Sequence, residues 1–66
     1  MPAFEDGKDN LDSYLLRFER FARRNEIDEG QWAVNLSVLL TGRALDVYSR
    51  IDEEAAGDYQ ALKTAL

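Results

Sequence analysis

Apolar residues first recur at helical spacing near the start of the chain, where they form one stripe. The steps of three and four residues are those of a single helical face, and the stripe comprises Leu11, Tyr14, Leu15, Phe18, Phe21 and Ala22. Asp9 or Asn10 can cap this helix, because a short polar side chain accepts a hydrogen bond from a free N–H of the first turn. We therefore predict a helix from about Asn10 to Asn25.

A second helix is indicated by a start signal in residues 27–32, IDEGQW. Asp28 and Gln31 have the spacing of a capping box, in which two side chains bond to each other's backbone N–H groups. Ile27 and Trp32 have the spacing of a hydrophobic staple, an apolar contact across the helix start. The capped start and the apolar residues that follow predict a helix.

The second helix is predicted to continue to Leu40 and to stop at Gly42, since glycine can take the left-handed conformation that follows helix ends. The third helix follows almost without a loop, from about Arg43 to Ile51. An acidic connection then leads to a fourth helix that starts near residues 56–58. The chain ends within that helix without a stop signal, so we expect it to belong to a longer polypeptide.

These helices predict an all-α fold, a compact bundle of four short helices. Residues 1–8 have no helical period, so we expect a flexible, loose N-terminal arm with Phe4 as its one anchor, followed by a single domain over residues 9–66. Trp32 is expected at the centre of the packing. The predicted core comprises Tyr14, Phe18, Phe21, Trp32, Leu36, Leu40, Leu45, Tyr48 and Leu62.

Composition narrows the possible functions. The 66 residues include neither Cys nor His, which excludes a disulfide and argues against a zinc site. Three serines have no His or Cys partner for nucleophilic catalysis, and the glycines are too scattered for a phosphate loop. We therefore expect no enzyme, no cofactor and no metal. The longest apolar run is far shorter than a membrane span and no signal peptide is present, so we expect an intracellular, cytoplasmic protein with no membrane partner.

The charge of the chain is segregated along the sequence. The net charge of −5 argues against direct nucleic acid binding, which requires a basic face. Residues 13–25 carry a charge of +3, whereas residues 26–31 carry −3 and residues 52–58 carry −4. This arrangement suits either pairing within one molecule or head-to-tail contact between identical subunits.

The order of these features resembles a known family. The segments are LDSYLLRFERFARRNEI, then QWAVNLSVLLTGRALDVYSRI, then DYQALKTAL. They are similar to the N-terminal capsid domain of gypsy-type long-terminal-repeat retrotransposon Gag proteins and to the N-lobe of the domesticated capsid protein Arc. The matching positions are Phe18, Glu19, Phe21, Trp32, Leu36, Leu40, Gly42, Ala44, Tyr48, Tyr59, Leu62, Lys63 and Leu66.

The resemblance implies a structural lobe that packs beside copies of itself in the hexamers and pentamers of a capsid shell, as in virus-like particles. The isolated lobe is then expected to be monomeric or to associate weakly, and the longer protein to form particles. Host-captured members of the family suggest an alternative, an interaction module that binds a short peptide of a partner protein in an apolar groove.

Two groups of residues are candidates for partner binding, and each has two readings. Val34 and Val38 lie on the side of the second helix opposite Trp32, where they are either covered by neighbouring helices or exposed to a partner. Arg17, Arg20 and Arg24 share a face of the first helix. They form either a solvated surface paired with nearby carboxylates or a contact with the acidic residues 52–58 of a neighbouring subunit.

Overall fold

Five α-helices and one 3-10 turn follow one another in the computed structural model, which describes all residues, 1–66, and contains no strand. The all-α prediction is confirmed. The acidic connection holds a helix of its own, so the bundle has one helix more than the four that were predicted. The elements are α1 (Leu11–Arg24), the 3-10 turn (Glu29–Gln31), α2 (Trp32–Ser37), α3 (Gly42–Arg50), α4 (Glu53–Ala56) and α5 (Tyr59–Ala65).

Helix α1 has the bounds that its sequence predicts. Oδ1 of Asn10 accepts a hydrogen bond of 3.0 Å from the backbone N–H of Ser13, which caps the first turn. At the other end, Glu26 has a φ of +55°, in the left-handed region. The N–H groups of Glu26 and Ile27 donate to the carbonyls of the last turn, at 3.1 and 2.9 Å. This is a Schellman motif with glutamate where glycine is usual.

The start of the second helix is a tight 3-10 turn rather than the predicted capping box. Oδ2 of Asp28 accepts from the N–H of Gly30 at 3.1 Å, and the N–H of Gln31 donates to the backbone carbonyl of Asp28 at 2.8 Å. A hydrogen bond joins Ile27 and Trp32, the two residues of the predicted hydrophobic staple. Nε1 of Trp32 donates to the carbonyl oxygen of Ile27 at 2.8 Å. Asp28 is therefore a cap, but of a 3-10 turn.

Helix α2 ends at Ser37, three residues before the predicted end. The chain then makes two tight turns, and the carbonyl of Leu39 accepts a hydrogen bond of 2.7 Å from the N–H of Phe4 instead of a helical one. Gly42 has the predicted left-handed conformation, with a φ of +59°, but it begins α3. The Asp6 side chain lies against it, and a Cβ at residue 42 would stand 2.7 Å from the Asp6 Cβ.

The N-terminal arm is docked, so the prediction of a loose arm is wrong, although Phe4 is the anchor that was expected. Phe4 is buried and its ring meets the ring of Tyr14 edge to face, with centroids 5.2 Å apart. The hydroxyl of Tyr14 donates to the carbonyl of Pro2 at 2.6 Å, and the hydroxyl of Thr41 donates to the carbonyl of Phe4. The arm thus joins α1 to the segment between α2 and α3.

Three aromatic rings lie at the centre of the core. The ring centroid of Trp32 is 5.3 Å from that of Tyr59 and 6.4 Å from that of Phe18, both in edge-to-face geometry. Such pairs contribute about 0.5–1.5 kcal/mol each beyond the area they bury. Around them the buried residues are Phe4, Tyr14, Leu15, Ala22, Ala33, Leu36, Leu40, Ala44 and Leu62.

Two of the predicted core residues are exposed. Phe21 is 36% exposed and Leu45 is 44% exposed, and Tyr48 is only half-buried. Phe21 lies about 60° around α1 from the buried Phe18, at 100° per residue, so it stands at the edge of the apolar face. The other predicted core residues, Tyr14, Phe18, Trp32, Leu36, Leu40 and Leu62, are buried as expected.

Candidate protein interaction site

The three arginines of the predicted basic face lie exposed along α1, and we call Arg17, Arg20 and Arg24 the arginine stripe. None of their guanidinium groups has a carboxylate within 4.0 Å, the limit for an ion pair. The alternative in which nearby Glu or Asp residues pair with this face is therefore wrong. The stripe presents three cations without an anionic partner in the molecule.

The neighbouring Arg23 behaves differently from the stripe. Its guanidinium group lies 3.7 Å from Glu19 and 5.4 Å from the centroid of the Trp32 ring, where a cation–π contact forms. Arg23 is therefore exposed but held by contacts with Glu19 and Trp32, whereas the stripe arginines form no ion pair. A further exposed pair joins Arg50 to Asp46 within α3, at 3.3 Å.

Glu19 fixes the last helix to the first on the side of α1 away from the stripe. Its Oε2 accepts hydrogen bonds of 2.8 Å from the Tyr59 hydroxyl and from Lys63 Nζ. The bond from Lys63 lowers the pKa of Glu19, whereas burial and then the bond to Glu19 raise the pKa of Tyr59 well above its ordinary value. At 100° per residue, Glu19 lies about 130° around α1 from the middle of the stripe.

The acidic segment, residues 52–58, carries four exposed carboxylates, and none of them forms an ion pair. Asp52 caps α4 by accepting from the N–H of Ala55 at 2.8 Å. Asp58 caps α5 by accepting from the first-turn N–H groups, at 3.0 and 3.4 Å. Glu53 and Glu54 have no bond of this kind, so their carboxylates are free to meet a partner.

Val34 on the outer side of α2 and Val38 directly after its last residue form the valine pair. Val34 is 53% exposed and Val38 is 78% exposed, whereas Leu36 between them is fully buried. The alternative in which neighbouring helices cover both sides of α2 is therefore wrong. The exposed reading of the pair is confirmed, and its role in binding stays a prediction.

One exposed apolar residue was missed. Leu16 is 49% exposed and lies one helical turn before Arg20, next to the stripe. Phe21 in turn lies one helical turn after Arg17, so apolar and basic side chains alternate on the outer face of α1. The sequence held a signal for Leu16, because it lies about 160° around the helix from Phe18.

A groove of about 230 Å³, the N-terminal groove, opens where the arm meets the starts of α1 and α3 and the end of the chain. It is smaller than most small-molecule pockets, which run to about 300–1,000 Å³. Charged groups stand beside an apolar lining, so the groove suits an apolar side chain. Its residues are Phe4, Asp6, Asp9, Leu11, Arg43, Ala44, Val47 and Leu66.

No group of three or more His, Cys, Asp or Glu side chains is arranged to hold a metal ion. None of the helices combines the length and apolar character needed to cross a membrane. Comparisons with protein-family models, with curated proteins and with solved structures find no match to this chain.

Proposed function

We propose that this chain is a capsid-assembly lobe of the retrotransposon Gag type, which contributes protein–protein contacts between copies. The observation that carries the proposal is that the arginine stripe and the acidic segment are both exposed and both lack an ion-pair partner within the molecule. The resemblance of the sequence to Gag capsid domains, over residues 4–66, supports the same conclusion.

Charged surfaces of opposite sign suit contacts between many copies. Exposed ion pairs contribute only about 0–1 kcal/mol each, but complementary charges steer encounters and fix orientation. A shell is built from many weak contacts, so each contact need not hold two isolated subunits together. A lobe of this kind is therefore expected to associate weakly alone and strongly within an assembly.

Exposed apolar side chains add to the case for a protein partner. Leu16 on α1 is 49% exposed, and both members of the valine pair are more than half exposed. Apolar side chains at a contact exclude water and strengthen the charge pairs that surround them.

Self-association tests the proposal directly. Sedimentation velocity up to millimolar concentration should show association at ~0.01 M salt, where the Debye length is about 30 Å, and less at ~1 M, where it is about 3 Å. Electron microscopy of the associated sample should show rings or closed particles. A chain that stays monomeric at every concentration and salt level would contradict the proposal.

A second candidate function is a host-adapted module that binds a short peptide, and the N-terminal groove favours it. The groove has an apolar lining with Arg43 and two aspartates beside it, which suits a peptide with one apolar anchor and a charged neighbour. A peptide array should then yield a saturable binder that Val47→Glu in the groove abolishes and Val38→Asp, directly after α2, leaves unchanged. An array without any saturable binder would exclude this candidate.

A further inference from the structure

We propose that the arginine stripe of one copy receives the acidic segment of a second copy, in a head-to-tail contact that repeats. The inference rests on the proposed function and names the two surfaces that perform it. Each copy presents one surface of each sign, and neither surface has a partner in its own molecule. The occupant of the stripe is therefore a second copy of this chain.

The two surfaces belong to different sides of the molecule. The acidic segment runs directly into α5, whose first residue, Tyr59, and whose Lys63 one turn later both bind Glu19. Glu19 lies about 130° around α1 from the middle of the stripe. A two-fold dimer would have to present both surfaces to one partner at once, whereas a head-to-tail contact uses one surface on each copy. Such heterologous contacts form rings or open chains.

The side chains at the two surfaces match in chemistry as well as in charge. Arginine has a planar group with donors that fit a carboxylate at two points. Asp52 and Asp58 hold backbone N–H groups, which leaves Glu53 and Glu54 to extend toward the arginines. Apolar residues flank both surfaces and can exclude water from the charges. They are Leu16 and Phe21 beside the stripe, the half-buried Ile51 before the acidic segment, and the half-buried Ala55 and Ala56 within it.

Reciprocal charge reversal tests the contact. One variant carries Arg17→Glu and Arg20→Glu, and the other carries Glu53→Lys and Glu54→Lys, which leaves both helix caps in place. Sedimentation velocity at low salt should show that each variant alone associates about tenfold more weakly than the parent, or about 1.4 kcal/mol. An equimolar mixture of the two should regain association, because each reversed surface then meets its complement.

The control for the stripe variant is the pair Lys8→Glu and Arg50→Glu, which changes the net charge by the same amount at exposed positions outside both surfaces. It should associate more like the parent than the stripe variant does. Three results would overturn the inference without contradicting self-assembly. Either reversed variant alone could associate like the parent, the mixture could associate no more strongly than its components, or growth could stop at the dimer. A parent that never associates would overturn both, and so would one that binds anionic vesicles through the stripe while remaining monomeric.

Discussion

The hydroxyl of Tyr59 on α5 donates a hydrogen bond of 2.8 Å to Oε2 of Glu19 on α1. The same oxygen accepts a second bond of 2.8 Å from Lys63, so one carboxylate side chain, only 12% exposed, joins the first helix to the last. The ring of Tyr59 meanwhile packs against Trp32 and Phe18 at the centre of the core. The orientation of α5, and with it that of the acidic segment, depends on this polar contact.

Replacing Glu19 with alanine should destabilise the fold by about 1–3 kcal/mol, because the partly buried Tyr59 hydroxyl loses its acceptor. Lys63 is more exposed, so its own replacement with alanine should cost at most about 1 kcal/mol. Urea unfolding followed by far-UV circular dichroism measures both changes. Glu29→Ala, at an exposed glutamate without a partner, serves as the control and should have little effect. If Glu19→Ala and Glu29→Ala lowered the free energy of unfolding equally, the contact of Glu19 with Tyr59 and Lys63 would not stabilise the fold.

The same contact makes stability depend on pH at the acid end. The hydrogen bond from Lys63 lowers the pKa of Glu19 below its ordinary value of 4.5 against the opposing effect of burial, and the bond from Tyr59 lowers it further. The stability due to the ionised carboxylate is therefore fully present above pH 4.5 and is lost as the pH falls through the folded-state pKa. Urea midpoints measured over this range should fall more steeply for the parent than for Glu19→Gln. Identical pH dependence of the two proteins would contradict this role.

Replacing Trp32 with alanine should remove cooperative unfolding. Truncating a buried aromatic residue costs about 3–5 kcal/mol, which equals the net stability of about 3–5 kcal/mol that a domain of this size can reach. Trp32→Phe keeps a ring at the site but loses the 2.8 Å bond from Nε1 to Ile27 and part of the indole volume, so it should still melt cooperatively at a lower temperature. Thermal circular dichroism distinguishes the variants. An alanine variant that melts near the parent temperature would refute the assigned core.

The end of α1 offers a stabilising substitution. Glu26 has a φ of +55°, and left-handed backbone costs a non-glycine residue about 1–2 kcal/mol. Glycine relieves that strain but brings about 0.5–1 kcal/mol of extra chain entropy, so Glu26→Gly should raise the unfolding free energy by about 0.5–1 kcal/mol. Gly42→Ala should act in the opposite direction, because its Cβ would stand 2.7 Å from the Asp6 Cβ. Urea melts that rank the two variants the other way would contradict both assignments.

The helices could be predicted from the sequence where their signals are local. The bounds of α1 followed from its apolar period and from the Asn10 side chain, both of which lie within or beside the helix. The end of α2 could not be predicted, because the apolar run continues to Leu40 while the distant Phe4 bonds to the Leu39 carbonyl. Helix α4 was overlooked although Asp52 carries a cap signal like that of Asn10, since it has only four residues.

The candidate surfaces could likewise be predicted only where the signal is local. The helical period placed the arginine stripe and the valine pair on outer faces, but it could not show whether neighbours would cover or pair with them. Phe21 was expected in the core because a period identifies an apolar face without showing how much of that face a small domain covers. The contact between Glu19 and Tyr59 joins residues 40 positions apart, so only the tertiary structure reveals it.

Amide chemical shifts as a function of concentration test most directly the claim that copies of this chain meet through their unpartnered surfaces. In ¹⁵N-labelled protein at low salt, the shifts that move with concentration should cluster at the arginine stripe, the valine pair and residues 52–58, and added salt should reverse them. The residues of the N-terminal groove should not move. Shifts that do not change with concentration, or that change in the groove alone, would contradict the account.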